Sequence, residues 1–366
     1  MHDGWNPAGG QSVKFLFRKE LVVGLSAVVL GLLAGALLMT VTGNDPFGGY
    51  LFLFAGGLMN LERLGNTLAM ATPLILTGLS VAFAFRTGLF NIGAAGQALI
   101  GGLVATAVGL SLGLPKPILL PIILVAAALG GALWAWLPGL LKARFNVHEV
   151  VSTIMMNWIA YWVTYYTVPA YFKGSFETES RMIPEAASLK IPPLSDLFAG
   201  SYINLGLFVS LAAVVVISII LNRTVLGYRL KAVGYNRFAA EYAGINVNRH
   251  IVASMTIAGA LAGLAGATFY VGYATSMQIG VLPSIGIDGI AVALLASNSP
   301  IGVVGSALFF GILQSGKGFM NAMTQIPPEI GDTIIATIIY FAATSVLIER
   351  WFDQLARRRS GGKHHD

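Results

Sequence analysis

Cysteine is absent from this sequence, which removes disulfides, thiolate catalysis and cysteine-ligated metal sites. Charge is scarce: Asp, Glu, Lys and Arg make up 10% of the 366 residues, against about 25% in soluble globular domains. No phosphate loop of the form G-x-x-x-x-G-K-[ST] occurs. Gly311-Ile-Leu-Gln-Ser-Gly-Lys317 comes near it, but Gly318 follows where a hydroxyl is required. Any nucleotide hydrolysis that serves this chain must therefore come from another one. His148-Glu149 lacks the second histidine of a helical zinc site, and His250, His364 and His365 are too scattered to form one. The ten-residue alternation of an outer-membrane barrel strand is missing as well.

The rest is strongly apolar. Hydrophobic residues make up 56% of the chain, and runs of 18 or more recur, each able to cross a hydrocarbon core of about 30 Å as a helix. Helices are expected because lipid cannot satisfy an open backbone. The fold class is an all-α polytopic membrane protein of about ten transmembrane segments, with discontinuous helices in the second half. The segments fall near 21–42, 64–85, 92–113, 117–141, 148–170, 202–221, 250–271, 285–298, 301–319 and 331–348. An eight-span alternative merges or drops 285–298 and 301–319. The stretch 45–60, with Asp45-Pro46 and Gly48-Gly49, is too short and interrupted for a clear span and reads as re-entrant or interfacial. The 44 glycines suit closely packed membrane helices. The run from Leu21 to Asn44 is too long for a signal-peptide core and reads as a retained first helix.

The net charge of +6 does not indicate a nucleic-acid partner, because the positives gather in short polar breaks. Lys14, Arg18 and Lys19, then Arg86, then Lys142 and Arg144, all fall on one side if spans alternate. Arg223, Arg229, Lys231, Arg237 and Arg249 join them, as does a tail with Arg350, Arg357, Arg358, Arg359 and Lys363. The positive-inside rule makes that side cytoplasmic and places both termini there. The expected organisation is a cytoplasmic tail 1–20, membrane helices 21–221 with an outer loop 171–201, a cytoplasmic loop 222–249, membrane helices 250–348, and a basic cytoplasmic tail 349–366.

Polar groups inside apolar segments are candidates for function. Asn91 and Gln97 are amides near membrane depth that need a partner: a helix, water or a solute. Glu149, Ser152 and Met156 share one helical face, where Glu149 serves either a cytoplasmic-side network or a gate. Trp158, Tyr161 and Trp162 either stack on a planar solute or anchor the interface. No charge occurs from His250 to Ile287; with Gly259, Gly263, Gly266, Gly272, Gly280, Pro283 and Gly286 in it, the stretch reads as a broken helix lining a path, or as a loop before a short packed helix. Asp288 is the strongest single candidate. An intramembrane carboxylate is costly, so it hydrogen-bonds solute, gates, couples protons, or sits at a loop edge near the outer surface. Asn298, Gln314 and Lys317 form a weaker polar set, with Lys317 free to snorkel to the outer interface.

Three stretches carry a resemblance: Gly88-Leu-Phe-Asn-Ile-Gly-Ala-Ala-Gly-Gln97, Gly227 to Ile245, and Gly286-Ile-Asp-Gly-Ile-Ala-Val-Ala-Leu-Leu-Ala296 with Pro300 and Gly302. Together they resemble the integral membrane permeases of bacterial ABC importers in the branched-chain amino acid, ribose and nucleoside group. Asn146 to Asn157 is similar to the nucleoside branch, whose permeases work with a basic-membrane-protein type lipoprotein receptor; His148 departs from the asparagine of many relatives. The likeness covers about residues 20–348.

The resemblance implies a bacterial inner-membrane transport subunit, not an enzyme, that binds no cofactor itself. ATP and Mg would be bound by a separate cytosolic ABC ATPase. Further partners would be a second, related permease chain, an extracytoplasmic solute-binding lipoprotein, and membrane lipid. The resemblance makes the cytoplasmic loop an ATPase-coupling element, with Gly227, Arg229, Lys231, Gly234, Arg237, Ala239, Ala240, Glu241 and Gly244 in it and a short helix around Arg237–Gly244. Without it, the same loop is a solvated anchor of topology. The substrate path would draw on Asn91, Gln97, Asn157, Trp158, Phe269, Tyr273 and Asp288, for a nucleoside solute. The rival readings are an ion-coupled secondary transporter, an ABC permease for ribose-like sugars, and a channel or structural subunit.

Overall fold

The computed structural model describes residues 9–344, with side chains from residue 24 onward. The expected basic tail 349–366 and residues 1–8 lie outside the described residues. Helices α1 (Gly9–Val41), α2 (Pro46–Leu58), α3 (Leu61–Arg86), α4 (Ala94–Ser111) and α5 (Lys116–Phe145) form the first part of the chain. Next come α6 (Glu149–Tyr171), α7 (Pro192–Leu197), α8 (Gly206–Arg223), α9 (Val225–Tyr235) and α10 (Arg237–Tyr242). The last are α11 (Val247–Ala267), closed by a π-helical turn over Thr268–Tyr273, then α12 (Ser284–Leu295), α13 (Pro300–Thr324) and α14 (Pro328–Ala343). Seven of these, α1, α3, α4, α5, α8, α11 with its π-turn, and α13, are long and apolar enough to cross a membrane. The protein is thus an all-α polytopic membrane protein.

Helix α1 begins at Gly9, well before the expected position 21, so it takes in much of the segment assigned to a tail. The 45–60 stretch is helical over Pro46–Leu58. Asp45 caps it by accepting from the Phe47 and Gly48 amides, and Pro46 stands at a first-turn position where its missing N–H costs nothing. The segments near 285–298 and 301–319 do not merge. They are separate helices, divided at a turn where Ser297 and Asn298 adopt φ of 50° and 56°. At 12 residues, α12 rises about 18 Å, less than the hydrocarbon core needs.

Burial sorts the helices. In α3, 83% of the span is buried, whereas in α1 the figure is 22%; a helix apolar on all sides is built for the centre. Helices α4 and α11 join α3 there, while α1, α5 and α8 turn Leu33, Leu129 and Val215 outward. The inner helices approach closely through glycine. A Cβ placed on Gly131 of α5 would lie 2.7 Å from the Gly263 Cα of α11, and one on Gly263 would meet the Ala127 carbonyl. Small residues at such crossings let backbones pack directly, which drives helix association where lipid offers no hydrophobic gain.

Candidate transport core

The turn between α3 and α4 is where distant parts of the chain meet. Helix α3 stops at Arg86, and Gly88 takes φ +72°, a conformation that favours glycine. The Arg86 Nε donates to the Asn298 carbonyl at 3.1 Å, tying the turn to the α12–α13 connection. Ser254 of α11 donates its hydroxyl to the Thr87 hydroxyl oxygen at 2.8 Å. Gly234 of α9 lies against the same turn: a Cβ there would stand 2.5 Å from the Arg86 carbonyl oxygen and 3.0 Å from the Gly88 nitrogen. On its far side, Gly286 of α12 packs on Ala95, where an added Cβ would fall 2.7 Å from the Ala95 Cβ. Thr77 of α3 donates to the Ile285 carbonyl at 2.8 Å. All three stretches that carry the resemblance therefore touch at one junction.

The amides expected near a path are turned inward. Asn91 Nδ2 donates to Gln97 Oε1 and Gln97 Nε2 donates to Asn91 Oδ1, both at 2.9 Å, a buried reciprocal pair that Asn91 extends by donating to Ser80 Oγ (3.3 Å) and accepting from the Gly93 N–H (3.2 Å). Asn157 accepts from the Gly96 N–H at 2.8 Å and donates to the Ile92 carbonyl at 3.1 Å, which pins α6 to the turn. In this conformation the three amides brace the junction and spend their hydrogen bonds within the chain. Asn91→Ala and Gln97→Ala should each cost about 1–3 kcal/mol, the penalty for leaving a buried amide unpaired. The double substitution should cost little more than either alone, since the pair acts as a unit. Thermal unfolding in detergent reads all three, and additive losses would show that the ring is not a unit.

Asp288 is buried in α12 rather than placed at a loop edge. Gln314 of α13 donates to its Oδ2 at 2.9 Å. Lys317, one turn along α13, pairs with Asp332 of α14, and both act on Asp288 electrostatically. The carboxylate is thus held by an amide, with a cation one step away. Among the described residues no hydrogen bond links Asn298 to this group: its backbone carbonyl accepts from Arg86, and its buried Oδ1 has no hydrogen-bond partner.

Aromatic residues divide into two sites. Phe269 and Tyr273 of the π-turn stack at 5.8 Å and 20°. Tyr202 approaches Tyr273 at 5.5 Å, and the Lys190 ammonium sits 4.0 Å over the Tyr202 ring. Trp158 lies elsewhere, half exposed on α6 in a contiguous row with Tyr161, Trp162, Tyr165 and Tyr166. The loop between α6 and α8 is stitched to the segment after α11 by backbone hydrogen bonds. Ser180 N donates to the Met277 carbonyl (2.9 Å), Ile279 N to Thr178 (3.0 Å), Ile183 N to Thr275 (2.9 Å) and Leu189 N to Val271 (3.0 Å). Neither segment alternates in hydropathy, so nothing in the sequence signals this pairing.

The loop 222–249 folds into two short helices. Thr224 caps α9 by accepting from the Gly227 amide, and Asn236 caps α10 by accepting from the Phe238 and Ala239 amides. Gly227 fits the α8–α9 corner, where a Cβ would meet the Leu221 Cα at 2.6 Å. Ala240 is buried, whereas Arg229, Arg237, Ala239, Glu241 and Gly244 are exposed. Lys231 donates to Asn222 Oδ1 at 3.0 Å; burial, reinforced by the Arg86 guanidinium, holds its ammonium below the usual lysine range. Sequence reasoning missed the aromatics here: Tyr235, Phe238 and Tyr242 are 87%, 75% and 97% exposed. Nearby, Lys142 of α5 pairs with Glu149 of α6 at 2.9 Å. Among the described residues, no three His, Asp or Glu side chains gather to hold a metal ion.

The family described as branched-chain amino acid transport system, permease component, matches residues 63–343. Among individual proteins, the guanosine ABC transporter permease protein NupP of Bacillus subtilis is 43% identical over 340 residues, covering 93% of this chain and 97% of that one. The nucleoside ABC transporter permease protein NupB of Lactococcus lactis is 39% identical over 341 residues, covering 90% and 93%. The glucose ABC transporter permease protein TsgB13 of Haloferax volcanii is 32% identical over 343 residues, covering 91% and 90%. With its apolar helices, its glycine seams and no catalytic cluster among the described residues, the chain belongs to this permease family, as a non-catalytic membrane subunit of an ABC importer similar to nucleoside permeases.

Proposed function

We propose that this chain carries nucleosides through the bacterial plasma membrane, by alternating access driven by a separate ATPase. An even number of spans, with both termini in the cytoplasm, suits the charge distribution. The observation that carries the reading is the junction at Arg86–Gly88. It joins the cytoplasmic loop through Gly234, the centre of the bundle through Ser254, and the α12–α13 turn through Asn298. A push on α9 and α10 from a cytosolic ATPase would enter the membrane there. The exposed Arg229, Arg237, Tyr235, Phe238 and Tyr242 are the surface we assign to that ATPase, which would bind ATP and Mg. Solute would be delivered by an extracytoplasmic lipoprotein and would pass between this chain and a second, related permease. Phe269, Tyr273 and Trp158 offer faces on which a base can stack, and Asp288 offers a hydrogen-bond acceptor. Asn91, Gln97 and Asn157 support the path from beneath. The chemistry required of the chain is weak, reversible binding only.

The test is uptake of labelled guanosine by the reconstituted complex of ATPase, two permeases and receptor, with adenosine, ribose, glucose and free bases as competitors. Competition by nucleosides alone, dependent on ATP, is the expected result. Competition by glucose or ribose with none from nucleosides would make this a sugar permease, as TsgB13 is named. Uptake that persists without the ATPase and collapses with the ion gradient would sink the reading in favour of an ion-coupled carrier.

A further inference from the structure

A groove of about 530 Å³ opens between the cytoplasmic end of α5 and the first turns of α11. Its volume lies in the range of about 300–1,000 Å³ found for ligand sites. Leu140, Val252 and Ile257 form its apolar wall, and Arg144, Asn248 and Arg249 form its rim. It begins where the glycine seam ends. Gly131, Gly259 and Gly263 hold the two helices together deeper in the bundle, and Gly139, packed on Met255 and the Val252 backbone, is the last glycine of that seam before the groove. The apolar wall is continuous with the outer face of α5, where Leu133 and Leu137 are 70% and 39% exposed.

The two arginines set the chemistry. Both are exposed, and among the described residues neither has a carboxylate within ion-pair distance. Lys142, on the same helix end as Arg144, does have one in Glu149, so the fold neutralises one cation here and leaves its neighbour open. A cation at the C-terminal end of α5 suits the helix dipole, which accounts for Arg144 without any ligand. That account fails for Arg249. It stands in the first turn of α11, where the dipole disfavours a cation and favours an anion. A fork of guanidinium donors over an apolar slot, at the cytoplasmic membrane boundary, matches a phosphate attached to an acyl chain.

We propose that this groove binds one anionic phospholipid, its phosphate held by Arg144 and Arg249 and an acyl chain lying along Leu140 and the outer face of α5. The lipid would fill the space between α5 and α11 beside the loop that precedes α11.

The test is native mass spectrometry of the delipidated full chain, titrated with phosphatidylglycerol or with phosphatidylcholine. Phosphatidylglycerol should bind the wild type about tenfold more tightly, the worth of one charge-assisted contact. The double variant R144Q/R249Q should lower it to the phosphatidylcholine level. Ala253→Phe, which fills the groove and keeps both arginines, should do the same and provides the answer if the double variant fails to fold. Millimolar inorganic phosphate should leave the bound lipid in place. Equal affinity for the two lipids, wild-type retention of phosphatidylglycerol by either variant, or displacement by phosphate alone would overturn the proposal.

Discussion

A valine at position 234 is expected to stop ATP-driven uptake while the assembled complex continues to hydrolyse ATP. The reason is the closeness of α9 to the α3–α4 turn. The Cβ of any residue at 234 would stand 2.5 Å from the Arg86 carbonyl oxygen and 3.0 Å from Thr87 and Gly88 backbone atoms. These are main-chain atoms at the end of a buried helix, so no side chain can rotate away to make room. Overpacking of this kind costs about 1–3 kcal/mol, and the cheapest relief is for α9 to lift from the turn. The lifted helix leaves Phe238 and Tyr242 exposed, but its movements no longer reach Arg86 and Ser254. Uptake and ATPase rates measured in the same proteoliposomes separate the two effects. Gly318→Ala is the matched control, since a Cβ there meets nothing within 4 Å. Wild-type uptake by Gly234→Val would show that force enters the bundle by another route.

Leucine at Gly263 should eliminate folded protein altogether. Position 263 lies where α4, α5 and α11 cross: a Cβ there would meet the Ala127 carbonyl and lie 3.1 Å from the Gly131 Cα, and Gly101 packs on it from α4. Every atom in the way is backbone. Accommodating a leucine would force α4, α5 and α11 apart, a loss of more than about 3 kcal/mol, at the upper end of overpacking costs. Yield of monodisperse protein after size exclusion measures it directly. Gly305→Leu, at a site where a Cβ meets nothing within 4 Å, should retain wild-type yield. Recovery of Gly263→Leu at that level would mean that the seam is not where the bundle is held.

Hydropathy made most of the helices legible, because a long apolar run reports burial or lipid contact whichever neighbour supplies it. Charge did the same for the loop 222–249, whose lysine and arginine residues mark a polar break between spans. The junction was partly legible: Gly88, Gly234 and Gly286 all lie in stretches singled out for resemblance, yet nothing local to any of them names the others as neighbours. Arg86 and Asn298 meet across 212 positions, and no periodicity encodes such a partner. The same limit explains the amides. Asn91 and Gln97 were recognisable as groups that need partners, and the short turn between them lets each serve the other. Trp158 and Tyr273 share aromatic character, yet among the described residues each packs within its own group of rings, Trp158 with Tyr161 and Tyr273 with Phe269, because aromatic character says nothing about which ring meets which.

The stitching of the loop between α6 and α8 to the segment after α11 has a consequence for how the protein is made. Ser180 and Met277 bond across 97 positions, so the pairing partner of this loop leaves the ribosome only after α8, α9, α10 and α11 have been synthesised. Until Val271 to Ile279 have been made, the loop keeps local bonds such as Arg181 N to the Phe172 carbonyl and Ala187 N to the Pro184 carbonyl, but the amides of Ser180, Ile183 and Leu189 lack their partners. Closing so long an interval carries an entropic cost that must be met before the contacts repay it. The loop between α6 and α8 is therefore among the last parts to set, and in a chain stalled before α11 its amides facing Val271 to Ile279 stay unpaired and open to proteolysis.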